Sequence, residues 1–230
     1  WDVPRLAVST AAAGKQRARL VVRDNVRYRG AIEQAYLRQI QRARHHIVIA
    51  SAYFLPGLRI RHALCEAAQR GVKVEILLQG RVDHAILHYA TRMLYLDFLR
   101  SGIQLYEYQA GYMHAKVAVI DRHWAMVGSS NIDPFSLLLA REANVMVRDS
   151  GFARELRADL AAANLGHCWF LGGLGQAFDG QVAALAPHSQ QTMQRLDEQS
   201  DAQPADELTD PFVACLTGLV LAKGFLATQV

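Results

Sequence analysis

The sequence predicts an α/β fold: a mixed, mostly parallel β-sheet with helices on both faces. Short apolar runs alternate with longer segments in which apolar residues recur every three or four positions, the pattern of buried strands separated by amphipathic helices. Helices of this length between strands imply right-handed crossovers and parallel pairing. The polar turn Asp121 to His123 separates two apolar runs and predicts a hairpin. The hairpin adds an antiparallel portion to the sheet.

The first half of the chain repeats this alternation. Residues 28–44 illustrate the helical pattern, because Ile32, Tyr36 and Ile40 recur four apart while the opposite face is rich in arginine. Glycine or proline marks the ends of several segments. The predicted elements are a strand at 19–24, a helix at 28–44, a strand at 45–52, a helix at 58–70, a strand at 72–79, a helix at 84–101 and a strand at 103–108.

The second half begins with the hairpin. Its strands are predicted from Met113 to Ile120 and from Trp124 to Val127. A further strand is expected from Glu142 to Val147. Asp149 or Ser150 is expected to cap a helix that ends at about Leu165.

We expect three parts in the chain: a catalytic domain at 1–165, an irregular segment with an acidic linker at 166–211, and an apolar tail at 212–230. The acidic linker is predicted from six Asp and Glu residues within 197–210. The apolar stretch from Phe212 to Leu226 is shorter than the roughly 20 residues of a spanning helix. We therefore expect a membrane-associated, interfacial tail. Because the sequence starts at Trp1, we also expect a fragment or a processed product.

Charge and cysteine content narrow the class of protein. Residues 1–50 hold ten Arg and Lys against three Asp and Glu, which favours an anionic partner such as lipid headgroups or nucleic acid. The three cysteines, Cys65, Cys168 and Cys215, are far apart and have no paired spacing. They predict neither disulfides nor a metal centre, and no cofactor is expected.

One stretch carries the chemistry. His114 and Lys116 are two residues apart in the predicted hairpin strand, so both side chains are expected on one face of the sheet. Gly128-Ser129-Ser130-Asn131 follows the return strand and supplies hydroxyl, carboxamide and backbone N–H donors. An imidazole, an ammonium and these donors together suit a phosphate group.

The order H-x-K-x4-D, followed after six residues by G-S-x-N, resembles the signature of the phospholipase D superfamily. Residues 52–57 (Ala-Tyr-Phe-Leu-Pro-Gly) and Glu142-Ala143-Asn144 extend the likeness to the C-terminal half of bacterial cardiolipin synthases. The resemblance covers residues 20–165 and implies an α/β/α sandwich. It also implies catalysis by two such halves that face each other across one active site, without a metal.

The resemblance implies double displacement through a phosphohistidine. Transferred residue by residue, His114 is the general acid and base, and Asp121 belongs to the catalytic motif. Lys116 and Asn131 bind the phosphate oxygens, with Ser129 as a further donor. Glu142 orients His114 and raises its pKa. From the residues alone, Asp121 lies in the turn and stabilises it or a basic neighbour, and Glu142 is open to a structural salt bridge with an arginine.

Three functions stay open from the sequence. The first is a phosphatidyltransferase that acts on phosphatidylglycerol or phosphatidylethanolamine at the cytoplasmic face of the bacterial inner membrane, as a peripheral protein with a second catalytic half upstream or from another copy. The second is a phosphodiesterase that cleaves nucleic acid as a homodimer. The third is a non-catalytic scaffold, which the intact motif disfavours.

Overall fold

The computed structural model describes residues 14–82 and 84–172. In chain order its elements are β1 (Arg17–Arg23), α1 (Ala31–Arg42), β2 (His46–Ser51), α2 (Leu58–Gln69), β3 (Lys73–Gln79), α3 (Ala85–Arg92), α4 (Tyr95–Arg100), β4 (Gln104–Tyr108), β5 (Lys116–Ile120), β6 (Trp124–Gly128), one π-helical turn (Phe135–Leu139), β7 (Glu142–Arg148), α5 (Ser150–His167) and β8 (Cys168–Gly172).

The eight strands form one sheet in the order β1-β7-β6-β5-β2-β3-β4-β8. The predicted fold class is confirmed, since the sheet is mixed and helices cover both faces. The expectation of a mostly parallel sheet is wrong: β2 pairs parallel with β3 and β3 with β4, whereas the other five pairings are antiparallel. The helical crossovers after β2 and β3 place each following strand beside its predecessor in the same direction, whereas the connections that join β5, β6 and β7 reverse the chain each time.

The two faces of the sheet carry separate apolar layers. Helices α1, α2 and α4 cover one face, where Ile32, Leu64 and Phe98 pack with side chains of the central strands. Helix α5 covers the other face through Phe152, Leu156 and Leu160. The central strands are therefore buried on both sides, which explains why their sequences are continuous apolar runs rather than alternating ones.

Two regions differ from the sequence prediction. The single helix expected at 84–101 is two helices, because the backbone tightens at Met93 and Leu94, where the N–H of Leu94 bonds the carbonyl of Thr91. The Thr91 hydroxyl also donates to the carbonyl of Leu87 at 2.8 Å, a contact that bends helices.

Beyond residue 165, where an irregular segment was expected, β8 extends the sheet by pairing antiparallel with β4. The rest of that segment and the tail at 212–230 lie outside the described residues, so the predicted domain boundaries stay a prediction.

Candidate active site

The candidate site lies at one edge of the sheet. The parallel strands β2 and β3 end there, at Ser51 and Gln79, and antiparallel β5 begins there, because Ser51 is the register partner of Lys116. Strand β6 ends and β7 begins at the same edge. The topology thus brings the residues around His114 and the loop after Gly128 together, as the sequence predicted.

His114 and Lys116 differ in exposure. Lys116 is the first residue of β5 and only 8% exposed, and its ammonium donates to the carbonyl of His114 at 3.2 Å. His114 is exposed and precedes the strand, so the strand predicted from Met113 is three residues too long at its start. The backbone there is held instead by Gln79, whose carboxamide oxygen accepts the N–H of Met113 at 2.8 Å. A buried cation therefore lies beside an accessible imidazole.

The loop after β6 is fixed by Asn144, a residue to which the sequence analysis gave no role. The Asn144 carboxamide is fully buried, accepts the N–H of Ser130 at 3.2 Å and donates to the sulfur of Met126. A Cβ atom at Gly128 would lie 2.1 Å from the Asn144 Oδ1 atom. Glycine is required at this position because any side chain would displace the carboxamide that holds the loop.

Asn131 is brought to the same edge by the segment that follows β2. Its carboxamide oxygen accepts the N–H of Tyr53 at 3.4 Å, and the Ser51 hydroxyl accepts the N–H of Ile132 at 3.4 Å. Phe54 and Ile132 form a short parallel bridge beside them. Because the oxygen of Asn131 binds the backbone, the NH₂ group is the part of this side chain suited to donate to a phosphate oxygen.

Ser129 and Glu142 contact each other across the start of the β6–β7 connection. The Ser129 hydroxyl donates to the Glu142 carboxylate and accepts the N–H of Ala143 at 3.1 Å. The Ser129 hydroxyl has one proton, for which the Glu142 carboxylate is an acceptor, and its role as a phosphate donor stays a prediction. In the part of the chain that the structure describes, Glu142 forms no ion pair with an arginine. Its role as an orienting group for His114 stays a prediction.

Asp121 lies outside the candidate site. The structure therefore corrects the prediction that Asp121 is a catalytic residue. It follows the last residue of β5, roughly 16 Å along the strand from Lys116. Its carboxylate accepts the backbone N–H groups of Arg44, His45 and His46 at 2.8 to 3.3 Å. Asp121 thus joins the hairpin to the start of β2, at the opposite edge of the sheet. Its φ angle is 54°, a left-handed conformation that Asp tolerates better than most residues.

We expect Asp121→Asn to lower the free energy of unfolding by about 1–3 kcal/mol at pH 7, because a neutral amide replaces the charged acceptor of three N–H groups. The transfer rate per folded molecule should not change, since Asp121 is remote from the site. Urea unfolding followed by circular dichroism measures the first effect. Asp97→Asn is the control, because Asp97 is an exposed partner of Arg61 and such pairs contribute about 0–1 kcal/mol.

The pH dependence of this effect has a definite sign. Burial raises the pKa of Asp121, but the N–H donors of His45, His46 and Arg44 together outweigh burial, so the pKa lies below its usual range. The unfolded chain then binds a proton before the folded one. The stability difference between wild type and Asp121→Asn should be constant above about pH 4 and shrink as the pH falls through the lowered value. A difference that persists unchanged at lower pH would contradict this account.

Three buried polar residues at the site were missed: Ser51, Gln79 and Asn144. Each stands near one end of a strand that is otherwise mostly apolar, at the edge where the site forms. A polar side chain in such a position is a signal that the sequence analysis did not use. Their partners lie 14 to 81 residues away along the chain, so only the fold reveals what they hold.

No helix in the part of the chain that the structure describes combines the length and apolar character needed to cross a membrane. The predicted interfacial tail at 212–230 lies outside that part.

Comparison with known proteins gives one matching family and several similar proteins. The family model described as "Cardiolipin synthase, PLD-like domain" matches residues 36–163. The chain is 43% identical over 160 residues to cardiolipin synthase B of Escherichia coli, which covers 70% of this chain and 39% of the relative. It is 35% identical over 127 residues to cardiolipin synthase A of Klebsiella pneumoniae, covering 55% of this chain and 26% of the relative. The chain thus spans about two fifths of the length of the first of these relatives.

Solved structures share the fold at low sequence identity. The phospholipase D family member Nuc of Salmonella typhimurium superimposes with a TM-score of 0.59 at 20% identity, covering 69% of this chain and all of that chain. The phosphatidylserine synthase of Haemophilus influenzae gives a TM-score of 0.56 at 14% identity, covering 78% of this chain and 46% of that chain.

Proposed function

The chain belongs to the cardiolipin synthase family of phospholipase D-like domains, and from this premise we propose that it supplies one half of the active site of a phosphatidyltransferase. The observation that carries the proposal is the buried ammonium of Lys116, held beside the backbone of His114 at the edge where Asn131 also lies. A fixed cation and an amide donor next to an accessible imidazole suit a phosphodiester that gains charge in the transition state.

We propose a double displacement. A histidine nitrogen of the second half attacks phosphorus, and the bond from phosphorus to the departing alcohol oxygen breaks. His114 gives its proton to that oxygen. In the second step His114 takes the proton from an incoming alcohol, whose oxygen forms the new bond to phosphorus as the bond from phosphorus to histidine breaks. Each half of the reaction is easier than the direct exchange, and His114 returns to its starting state.

Lys116 and Asn131 act on the non-bridging oxygens in this proposal. Burial of Lys116 matters because a charge fixed in a low-dielectric environment stabilises a developing charge without first reorganising water. His114 is exposed and therefore accessible to a second half, which we propose comes from the same polypeptide upstream or from another copy. The proposed substrate is phosphatidylglycerol or phosphatidylethanolamine, met by a peripheral enzyme at the cytoplasmic face of the inner membrane.

The test is transfer of a radiolabelled phosphatidyl group from either lipid, in vesicles, to an added acceptor. The chain is assayed alone, and again as part of a longer polypeptide that contains two halves. We expect cardiolipin only where two halves are present. Cleavage of single-stranded DNA by the chain alone, with no lipid transfer in any form, would replace the proposal with the homodimeric nuclease.

Glu142→Gln should lower the transfer rate by about tenfold or less, because the substitution changes a neighbour of the proposed proton donor and leaves the donor itself in place. Glutamine keeps an oxygen for the Ser129 hydroxyl, so the fold should stay intact. A carboxylate raises the pKa of a nearby imidazolium and an amide does not. The basic limb of the pH-rate profile, which reports loss of the proton from His114, should therefore move to lower pH.

Ser129→Ala is the matched variant for Glu142→Gln, because it removes the hydrogen bond between the two residues but keeps the carboxylate. Its pH-rate profile should stay close to that of the wild type. If Glu142→Gln leaves both rate and profile unchanged, Glu142 only holds the loop in place.

A further inference from the structure

Three large apolar side chains are exposed in the connection between Asn131 and Glu142, two residues of the candidate site. Phe135, Leu138 and Leu139 are 61%, 61% and 63% exposed, and all belong to the π-helical turn that begins four residues after Asn131. Isolated exposed apolar residues are ordinary, but a cluster of them marks a surface that contacts another apolar phase. Because this connection carries both candidate site residues and the exposed cluster, a ligand of the site is the first partner to consider for the cluster.

The turn that presents these side chains is held at both ends. At its start, Asp133 is buried and accepts the N–H groups of Phe135 and Ser136 at 2.8 and 3.0 Å. At its end, the guanidinium of Arg23 donates to the carbonyls of Leu138 and Ala140. The exposed leucines are therefore fixed in place by buried polar groups, as expected of a built contact surface.

Arg23 is unusual because it is only 1% exposed, and its Nε atom has no hydrogen-bond partner. Within residues 14–82 and 84–172, no carboxylate forms an ion pair with Arg23 or Arg29. The neighbouring Asp24 directs its carboxylate at the backbone N–H groups of its own turn, residues 26–28. Positive charge thus remains next to the leucines, since no carboxylate pairs with either arginine.

Arg23 and Arg29 share a cavity with the leucines. The cavity has a volume of about 470 Å³ and is lined by Arg23, Asn25, Arg29, Leu138 and Leu139. The turn after β1 adds Val26, which is 87% exposed, and the exposed Tyr28. Guanidinium and apolar groups around one opening match an amphiphile with an anionic headgroup.

We propose that this basic apolar surface docks on an anionic lipid bilayer; it consists of the exposed residues Val26, Arg27, Tyr28, Arg29, Phe135, Leu138 and Leu139, with the buried Arg23 beneath them. The inference rests on the proposed function, which requires an amphiphilic substrate. A lipid headgroup region satisfies both parts of the surface at once, because phosphates meet the arginines while the leucines and the phenylalanine enter the acyl boundary. A protein partner would instead have to bring carboxylates to Arg27 and Arg29.

The main test is co-sedimentation of the 230-residue chain with vesicles of phosphatidylglycerol and phosphatidylcholine, at low and high salt. We expect the double variant Leu138→Asp, Leu139→Asp to weaken binding at least tenfold. Arg29→Glu should weaken vesicle binding about fivefold or more, since each arginine near an anionic leaflet contributes about 1 kcal/mol. This loss should appear with vesicles that contain phosphatidylglycerol and not with vesicles of phosphatidylcholine alone. The tail is the same in every variant, so differences report this surface alone.

Matched controls come from elsewhere on the chain. Leu58 is 64% exposed at the start of α2, and Arg38 is exposed on α1, so Leu58→Asp and Arg38→Glu should bind like the wild type. If the leucine double variant binds vesicles as well as Leu58→Asp does, the proposal is overturned. The proposed function would then stand unaffected.

A second experiment identifies the occupant. A photoreactive benzoylphenylalanine at position 139, with position 58 as its control, should form an adduct with phosphatidylglycerol in vesicle-bound protein. An adduct to another polypeptide segment instead would show that protein covers the surface, and would overturn the lipid assignment. Transfer from a monomeric short-chain phosphatidylglycerol, measured in the longer polypeptide that contains two halves, separates the two proposals: the leucine double variant should retain it, whereas failure of the proposed function would abolish it even without the substitutions.

Discussion

Replacing His114 with alanine should lower the rate of phosphatidyl transfer by about a thousandfold or more in an enzyme that contains both halves. General acid and base catalysis contributes about 10²–10⁴ to a rate, and here the same imidazole acts in both steps. His114 is exposed, so the free energy of unfolding should change by about 0.5 kcal/mol or less. Radiolabelled transfer and thermal unfolding measure the two effects.

His123→Ala is the matched control, because His123 is also exposed and lies in the turn at the far end of the same hairpin. It should keep full activity. A substrate with a good leaving group then assigns the step: the first displacement no longer needs an acid, so the His114→Ala enzyme should accumulate phosphohistidine on the other half. Retention of more than about a tenth of the activity by His114→Ala on the natural lipid would refute the assignment.

Lys116→Met should lower the rate by about 10²–10³, the loss seen when one preorganised electrostatic group is removed. Stability should move in the opposite direction or not at all. Lys116 is 8% exposed, and a buried ammonium is costly, whereas methionine has a similar volume and no charge. We therefore expect the free energy of unfolding to stay the same or rise while activity is lost.

Lys73→Met serves as the control for this substitution. Lys73 is half exposed and paired with Glu75 at the opposite edge of the sheet, so its loss should leave the rate unchanged. Lys116→Arg should restore only part of the activity, because a planar guanidinium does not fit the space of a compact ammonium. A Lys116→Met enzyme that is destabilised by several kcal/mol yet transfers at the normal rate would identify Lys116 as a structural residue.

Local patterns in the sequence predicted the elements well. The hairpin follows from two apolar runs around a polar turn, and it forms between β5 and β6. The cap of α5 was narrowed to Asp149 or Ser150, and the Asp149 carboxylate accepts the N–H of Phe152 at 2.7 Å. Such features depend on neighbours within a few residues, which the sequence displays directly.

Features that depend on distant partners were not predictable in this way. Strand β1 pairs with β7, although more than a hundred residues separate them in the sequence. No pattern in either segment indicates which strand is its partner. The partners of Asp121 are backbone N–H groups 75 to 77 residues earlier, and a backbone group has no signature in a sequence. The candidate residues were predicted as a group, and the structure was needed to separate those at one edge of the sheet from Asp121 at the opposite edge.

The position of Asp121 gives a structural reason for the four-residue spacing between Lys116 and Asp121. Lys116 begins β5 at the site, and Asp121 follows the last residue of β5 at the opposite edge of the sheet. The four residues between them therefore span the sheet along the strand direction. Strand geometry advances about 3.3 Å per residue and turns each side chain to the other face. Adding or removing one residue between Lys116 and Asp121 would move Asp121 away from its backbone partners. It would also turn either Lys116 or the core valines of β5 to the opposite face of the sheet. The number of residues between Lys116 and Asp121 thus fixes the distance between the candidate site and the hydrogen bonds that join Asp121 to the start of β2. This constraint is geometric and holds whatever the chemistry at the site.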